Sequence, residues 1–144
     1  MITVSSGVVA ATLDTLRTCG GGRRECLVYW TAPHGSDAVA AVVHPLHRAS
    51  RGGVVVDGAW ATRFFVVLAQ EGRSAIAQVH SHPGAYVGHS LTDDEHALVS
   101  SAGYLSIVIP HFADSDDRSG WGVWQIDPGG AWVSAQRVIR WPDA

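Results

Sequence analysis

Ser74-Ala-Ile-Ala-Gln-Val-His80-Ser-His82-Pro83, continuing through Gly84-Ala-Tyr-Val-Gly-His89-Ser90-Leu-Thr92-Asp93-Asp-Glu95, is the stretch on which the fold turns. Ser74 to Ser81 reads as a strand, buried on at least one side through Ile76 and Val79. A turn region with Pro83, Gly84 and Gly88 leads to Thr92. There Thr92-Asp93-Asp94-Glu95 forms a capping box, in which Thr92 accepts the N3 amide while Glu95 reaches back. It predicts a helix to Ala102, stopped by Gly103. Tyr104 to Ile109 is then a strong central strand, ended by Pro110.

On the N-terminal side, Asp57 can cap a helix whose Trp60, Phe64, Val67 and Leu68 share a face and which Gly72 closes. Glu25 to Thr31 is rich in β formers and ends before Pro33. Ala38 to His44 follows a turn at 34–37 and reads as its hairpin partner. Ser5 or Ser6 caps a first helix with Val8, Val9, Thr12, Leu13 and Leu16 at helical spacing. The run Gly20-Gly21-Gly22 should end that helix near Cys19. On the C-terminal side, strands Trp121–Ile126 and Ala131–Ile139 flank the hairpin signal Pro128-Gly129-Gly130. This order predicts one α/β domain over residues 1–144, with a mixed sheet in a three-layer or sandwich-like arrangement.

The composition fits. A chain of 144 residues buries roughly two thirds of its unfolded surface, and 47% hydrophobic against 16% charged residues excludes a disordered polypeptide. A net charge of −3 argues against nucleic-acid binding. All ten cationic residues are Arg and none is Lys, for which a GC-rich coding sequence is the plain explanation. Cys19 and Cys26 are too few for a disulfide scaffold. Their seven-residue separation contains no CxxC, so no thiolate zinc site is indicated. The N-terminus lacks a basic region and its apolar stretch is broken by Thr12 and Asp14. It reads as neither a signal peptide nor a membrane span, and the chain as cytoplasmic.

On a strand, residues two apart share a face, so His80 and His82 offer two imidazoles to one point. The seven residues 83–89 allow the chain to turn back over that face. Asp93 then sits in the first turn of the next helix, where the helix dipole favours its ionised form. Two imidazole nitrogens and one carboxylate, with a fourth position left for water, describe a catalytic rather than a structural zinc site. With 13 Ser and 10 Asp in the chain, chance meets both the Ser90 and the Asp93 offsets with a frequency of about 0.6%. The pattern is therefore specific.

His80-Ser81-His82, Ser90 and Asp93, at this spacing, resemble the JAMM signature of the JAB/MPN metalloproteases. The resemblance extends over most of residues 1–140. It implies a mixed, curved β-sheet sandwiched by helices, in a cytidine deaminase-like three-layer arrangement. It also implies one Zn²⁺ per chain, held by His80, His82 and Asp93. Glu25, where the family's early-strand Glu is expected, would be the general base, and Ser90 would donate a hydrogen bond to the oxyanion. The implied activity is cleavage of a peptide or isopeptide bond at the C-terminus of a ubiquitin-like protein, by a minimal bacterial type of enzyme with E1-like and E2-like proteins as pathway partners. The alternatives within the resemblance are a peptidase acting on a sulfur-carrier adduct and a non-catalytic MPN scaffold. Lack of Lys would also suit an enzyme beside a Lys-directed conjugation pathway.

Other residues carry weaker signals. His44 and His47 could form a second metal pair, though a polar loop is the simpler reading. His89 could touch substrate, and His96 lies one turn beyond Asp93. The acidic loop 114–117 lacks the Gly and Glu of a calcium site. Trp121 and Trp124, three residues apart on one strand, point to opposite faces, so one is a candidate exposed partner contact.

Overall fold

The computed structural model describes residues 1–49, 53–88 and 98–142. A short strand β1 (Ile2–Thr3) precedes α1 (Ser6–Gly20). Ser5 caps this helix, accepting the Val8 amide at 3.2 Å. Gly21 ends it at φ 58°, a left-handed conformation that glycine adopts without penalty. Next come β2 (Leu27–Pro33), β3 (Ala41–Val43), β4 (His47–Ala49) and β5 (Val54–Val56). α2 (Gly58–Gln70) begins where the Asp57 carboxylate accepts the Trp60 amide at 2.9 Å. β6 (Arg73–Ser81), β7 (Leu105–Ile109), β8 (Gly122–Ile126), β9 (Trp132–Ser134) and β10 (Ile139–Arg140) complete the described strands.

The central sheet has six strands in the order β3-β2-β6-β7-β8-β9. β6 and β7 are parallel and the other neighbours antiparallel. A parallel pair needs a crossover, and here residues 82–104 supply it, so the motif segment leaves the sheet at its centre. β4 pairs with β5, and β1 with β10.

Alternation assigns the two faces. Val28 and Trp30 of β2, Ala77 and Val79 of β6, and Leu105, Ile107 and Ile109 of β7 pack with Val8, Val9, Leu13 and Leu16 of α1. Within this core the Trp30 indole N–H donates to Thr12 Oγ1 at 2.9 Å, and the Thr12 hydroxyl donates to the Val8 carbonyl. The opposite face of β2 carries Tyr29, which stacks on Trp60 and meets Phe64 of α2. The sheet therefore lies between α1 and α2, as the resemblance implied.

Four expectations need correction. β2 starts at Leu27 rather than Glu25, because the Cys26 amide bonds the Ser81 hydroxyl at 3.0 Å instead of a ladder carbonyl. The strand expected over 131–139 is split into β9, a 3₁₀ turn (Gln136–Val138) and β10. Most of the helix expected from Thr92 lies outside the described residues. Its described remainder, 98–102, is not helical, as a β-branched Val99 beside Ser100 and Ser101 favours. On α2, Leu68 is buried and Trp60 and Phe64 half-buried, but Val67 is exposed.

Candidate metal centre

His80 is the penultimate residue of β6 and is paired on both sides, opposite Leu27 of β2 and Val108 of β7. His82 follows the strand and remains tied to β7 through its amide on the Ile109 carbonyl at 2.9 Å. The two rings, 4% and 7% exposed, bring their Nε2 atoms to 3.1 Å. His82 Nδ1 lies 2.9 Å from the Tyr86 carbonyl oxygen. A carbonyl only accepts, so Nδ1 carries the proton and Nε2 presents its lone pair.

This donor set fits a divalent ion. Zinc bonded tetrahedrally to two imidazoles at about 2.0–2.1 Å separates the nitrogens by roughly 3.3 Å, close to the separation found. The Tyr86 ring lies nearly parallel to His82, 6.2 Å away and inclined by 14°. Its own side chain is 67% exposed. Sequence reasoning passed over Tyr86, because an aromatic in a Gly-rich turn carries no spacing signal.

Glu25 is buried, 8% exposed, two residues before β2. The Ser81 amide donates to the Cys26 carbonyl at 3.1 Å, which continues the β2–β6 register beyond its last ladder pair. One residue further, that register sets Glu25 across from His82, and directly opposed residues share a face. The structure thus pairs His80 with His82, and strand register sets Glu25 opposite His82. Ser90 and Asp93, with His89, Thr92, Glu95 and His96, lie outside the described residues.

Two neighbours hold the segment after His82. The Trp124 indole N–H donates to the Val87 carbonyl at 2.9 Å. A Cβ at Gly122 would overlap that same carbonyl oxygen, so the close approach requires glycine. Trp124 is therefore a half-buried brace, Trp121 is 2% exposed, and neither is an exposed partner contact. On the other side His111, Phe112 and Ala113 are all left-handed, with φ of 55°, 51° and 61°. Their turn places the His111 and Phe112 amides on the Gly84 and His82 carbonyls, at 3.0 and 2.8 Å. Each such L-residue costs about 1 kcal/mol or more, so backbone strain is concentrated beside the paired imidazoles.

A second cluster lies on the α1 face. The Cys19 and Cys26 sulfurs are joined. Cys19 Sγ lies 3.3 Å from His47 Nε2, and Cys26 Sγ 3.3 Å from His44 Nε2. Burial and then the neighbouring His47 push His44 below its ordinary imidazole value. His44 and His47, read as a polar loop or a second metal pair, thus face the two cysteines, to which spacing alone did not link them. The four residues come from three segments that only the folded helix and sheet bring together, so no short motif announced them.

No family profile matches the chain. A curated relative, a probable metalloprotease of Sinorhizobium fredii, is 36% identical over 105 residues, spanning 68% of this chain and 64% of the relative. The chain thus spans less than two thirds of that protein's length. A protein from Desulfitobacterium hafniense superimposes with a TM-score of 0.68 at 18% identity, over 98% of this chain and 92% of that one. A JAB1/MPN domain protein from Archaeoglobus fulgidus gives 0.56 at 14% identity, over 96% and 97%. A JAMM structure described as a metalloprotease-like zinc site in the proteasome and signalosome gives 0.52 at 14% identity, over 97% and 98%. Among the described residues no helix is long and apolar enough to cross a membrane.

Proposed function

We propose, from the premise that this chain belongs to the JAMM/MPN family, that it is a zinc peptidase cleaving the bond at the C-terminus of a ubiquitin-like protein. The observation that carries this reading is the approach of His80 Nε2 and His82 Nε2 to 3.1 Å, with buried Glu25 in register beside them. His80, His82 and Asp93 would hold the metal. A bound zinc ion supplies Lewis acidity, lowering the pKa of its water from about 15.7 to about 7 and polarising the scissile carbonyl.

The chain's own residues do the rest. Glu25 takes the proton of the attacking water and delivers it to the leaving amine. Its burial strengthens that interaction by excluding competing solvent. Ser90 donates a hydrogen bond to the oxyanion, worth a few kcal/mol in such sites. His82 is held in one tautomer by the Tyr86 carbonyl. The exposed Tyr86 ring offers an apolar wall along which an extended peptide tail can lie. E1-like and E2-like proteins as partners, and a cytoplasmic setting, belong to the same proposal.

The test is incubation of the zinc-loaded chain with ubiquitin-like precursors and conjugates, reading product masses with and without chelator. The proposal expects a folded ubiquitin-like product with a shortened or freed tail, abolished by chelation. Release of a single residue from a sulfur-carrier adduct would move the substrate class, and unchanged masses throughout would refute peptidase activity on these proteins.

A further inference from the structure

We infer that Cys19, Cys26, His44 and His47 form a second metal site, a closed structural zinc site on the opposite face of the sheet from His80 and His82. The four ligand atoms all lie within 4.8 Å of one another. Each sulfur faces one imidazole Nε2 at 3.3 Å. Tetrahedral zinc, with Zn–S of about 2.3 Å and Zn–N of about 2.0 Å, sets sulfur and nitrogen roughly 3.5 Å apart. His47 Nδ1 lies 2.9 Å from the Pro45 carbonyl oxygen, so its proton sits there and Nε2 faces Cys19 with a lone pair.

Two thiolates and two imidazoles are the donor set that selects zinc, and four protein ligands leave no position for water. The site is therefore structural, unlike the open one across the sheet. Its inference does not depend on the peptidase reading. The two sulfurs are either bonded to each other, as in this structure, or shared with a metal as thiolates, so metal binding belongs to the reduced chain.

The ligands come from the last turn of α1 (Cys19), the residue before β2 (Cys26), the link after β3 (His44) and the first residue of β4 (His47). Zinc there would clip these segments together. Cys26 adjoins Glu25 and exchanges two hydrogen bonds with Ser81, the residue between the paired imidazoles. The clip therefore fixes the point at which Glu25 is delivered to the sheet.

Cobalt substitution separates the two sites, because only this one has sulfur ligands. The His80→Ala/His82→Ala variant, purified under reductant and loaded with Co²⁺, should show a thiolate-to-cobalt charge-transfer band and retain about one metal per chain. Wild type should hold about two. His44→Ala/His47→Ala, which keeps both cysteines, should lose the band and fall to about one metal. Absence of the band in reduced, folded His80→Ala/His82→Ala protein would overturn the inference. So would cysteines that stay bonded to each other under reductant. A wild-type chain with one metal and a persisting band would instead retain this site and count against the His80–His82 one.

Discussion

At His82 a single backbone carbonyl decides what the side chain can do. The Tyr86 oxygen accepts a hydrogen bond from Nδ1–H, and Nε2 is left to meet its counterpart on His80. That pair was legible in the sequence, because a two-residue spacing on a strand has one geometric outcome. Glu25 was legible only by position, and its burial comes from strand register, which no local pattern encodes. The proximity of Cys19, Cys26, His44 and His47 was not legible, since it depends on how α1 packs and not on spacing. A further residue-level consequence concerns Thr12. It accepts the buried Trp30 indole N–H, so Thr12→Val leaves that donor unsatisfied. The expected cost is about 1–3 kcal/mol, measured by urea denaturation with an unchanged m-value. A variant as stable as the parent would show that the hydrogen bond contributes nothing.

Elements with both ends marked in the sequence, α1 and α2, were read to within a residue or two. The β4–β5 hairpin was not anticipated, because each strand has three residues and shows no resolvable alternation. The 131–139 stretch failed for a different reason: Ala135 adopts φ −145° and ψ 47°, which ends the ladder before the 3₁₀ turn. On β8, Gly122 permits the approach of Val87. Gly122→Ala should cost about 1–3 kcal/mol through overpacking. By displacing the segment after His82 it should also lower kcat by up to about a hundredfold. Normal turnover in that variant would separate the loop's position from activity. Between β2 and α2, burial pushes the Tyr29 phenol well above its ordinary value of 10.0. Burial, with Tyr29 adding to it, does the same for Tyr104. Both groups are neutral in the folded state where the unfolded chain would ionise. Their contribution is complete below about pH 10 and is lost as pH rises above it. Melting temperature should therefore be flat from neutrality to about pH 10 and fall beyond, less steeply in Tyr29→Phe. Equal slopes in the two proteins would remove Tyr29 from this account.

For the molecule as a whole, the mixed sheet with one parallel pair at its centre places a crossover where the site must be. The sequence order of helices and strands indicated a mixed sheet, but strand neighbours are set by long-range pairing and had to come from the structure. Ligand binding to the native state alone stabilises it, by about 2.7 kcal/mol when metal is at a hundredfold its Kd. Chelation should thus lower the melting temperature by roughly 5–10 °C, and an unshifted transition would mean that no metal is held by the folded chain. The central claim is that Glu25 moves the proton for a reaction at the His80–His82 centre, and it is tested most directly in Glu25→Gln. Metal content and hydrolysis of a ubiquitin-like precursor are measured on the same sample. Zinc should be retained while hydrolysis falls by about 10²–10⁴-fold; full metal with undiminished hydrolysis would contradict it.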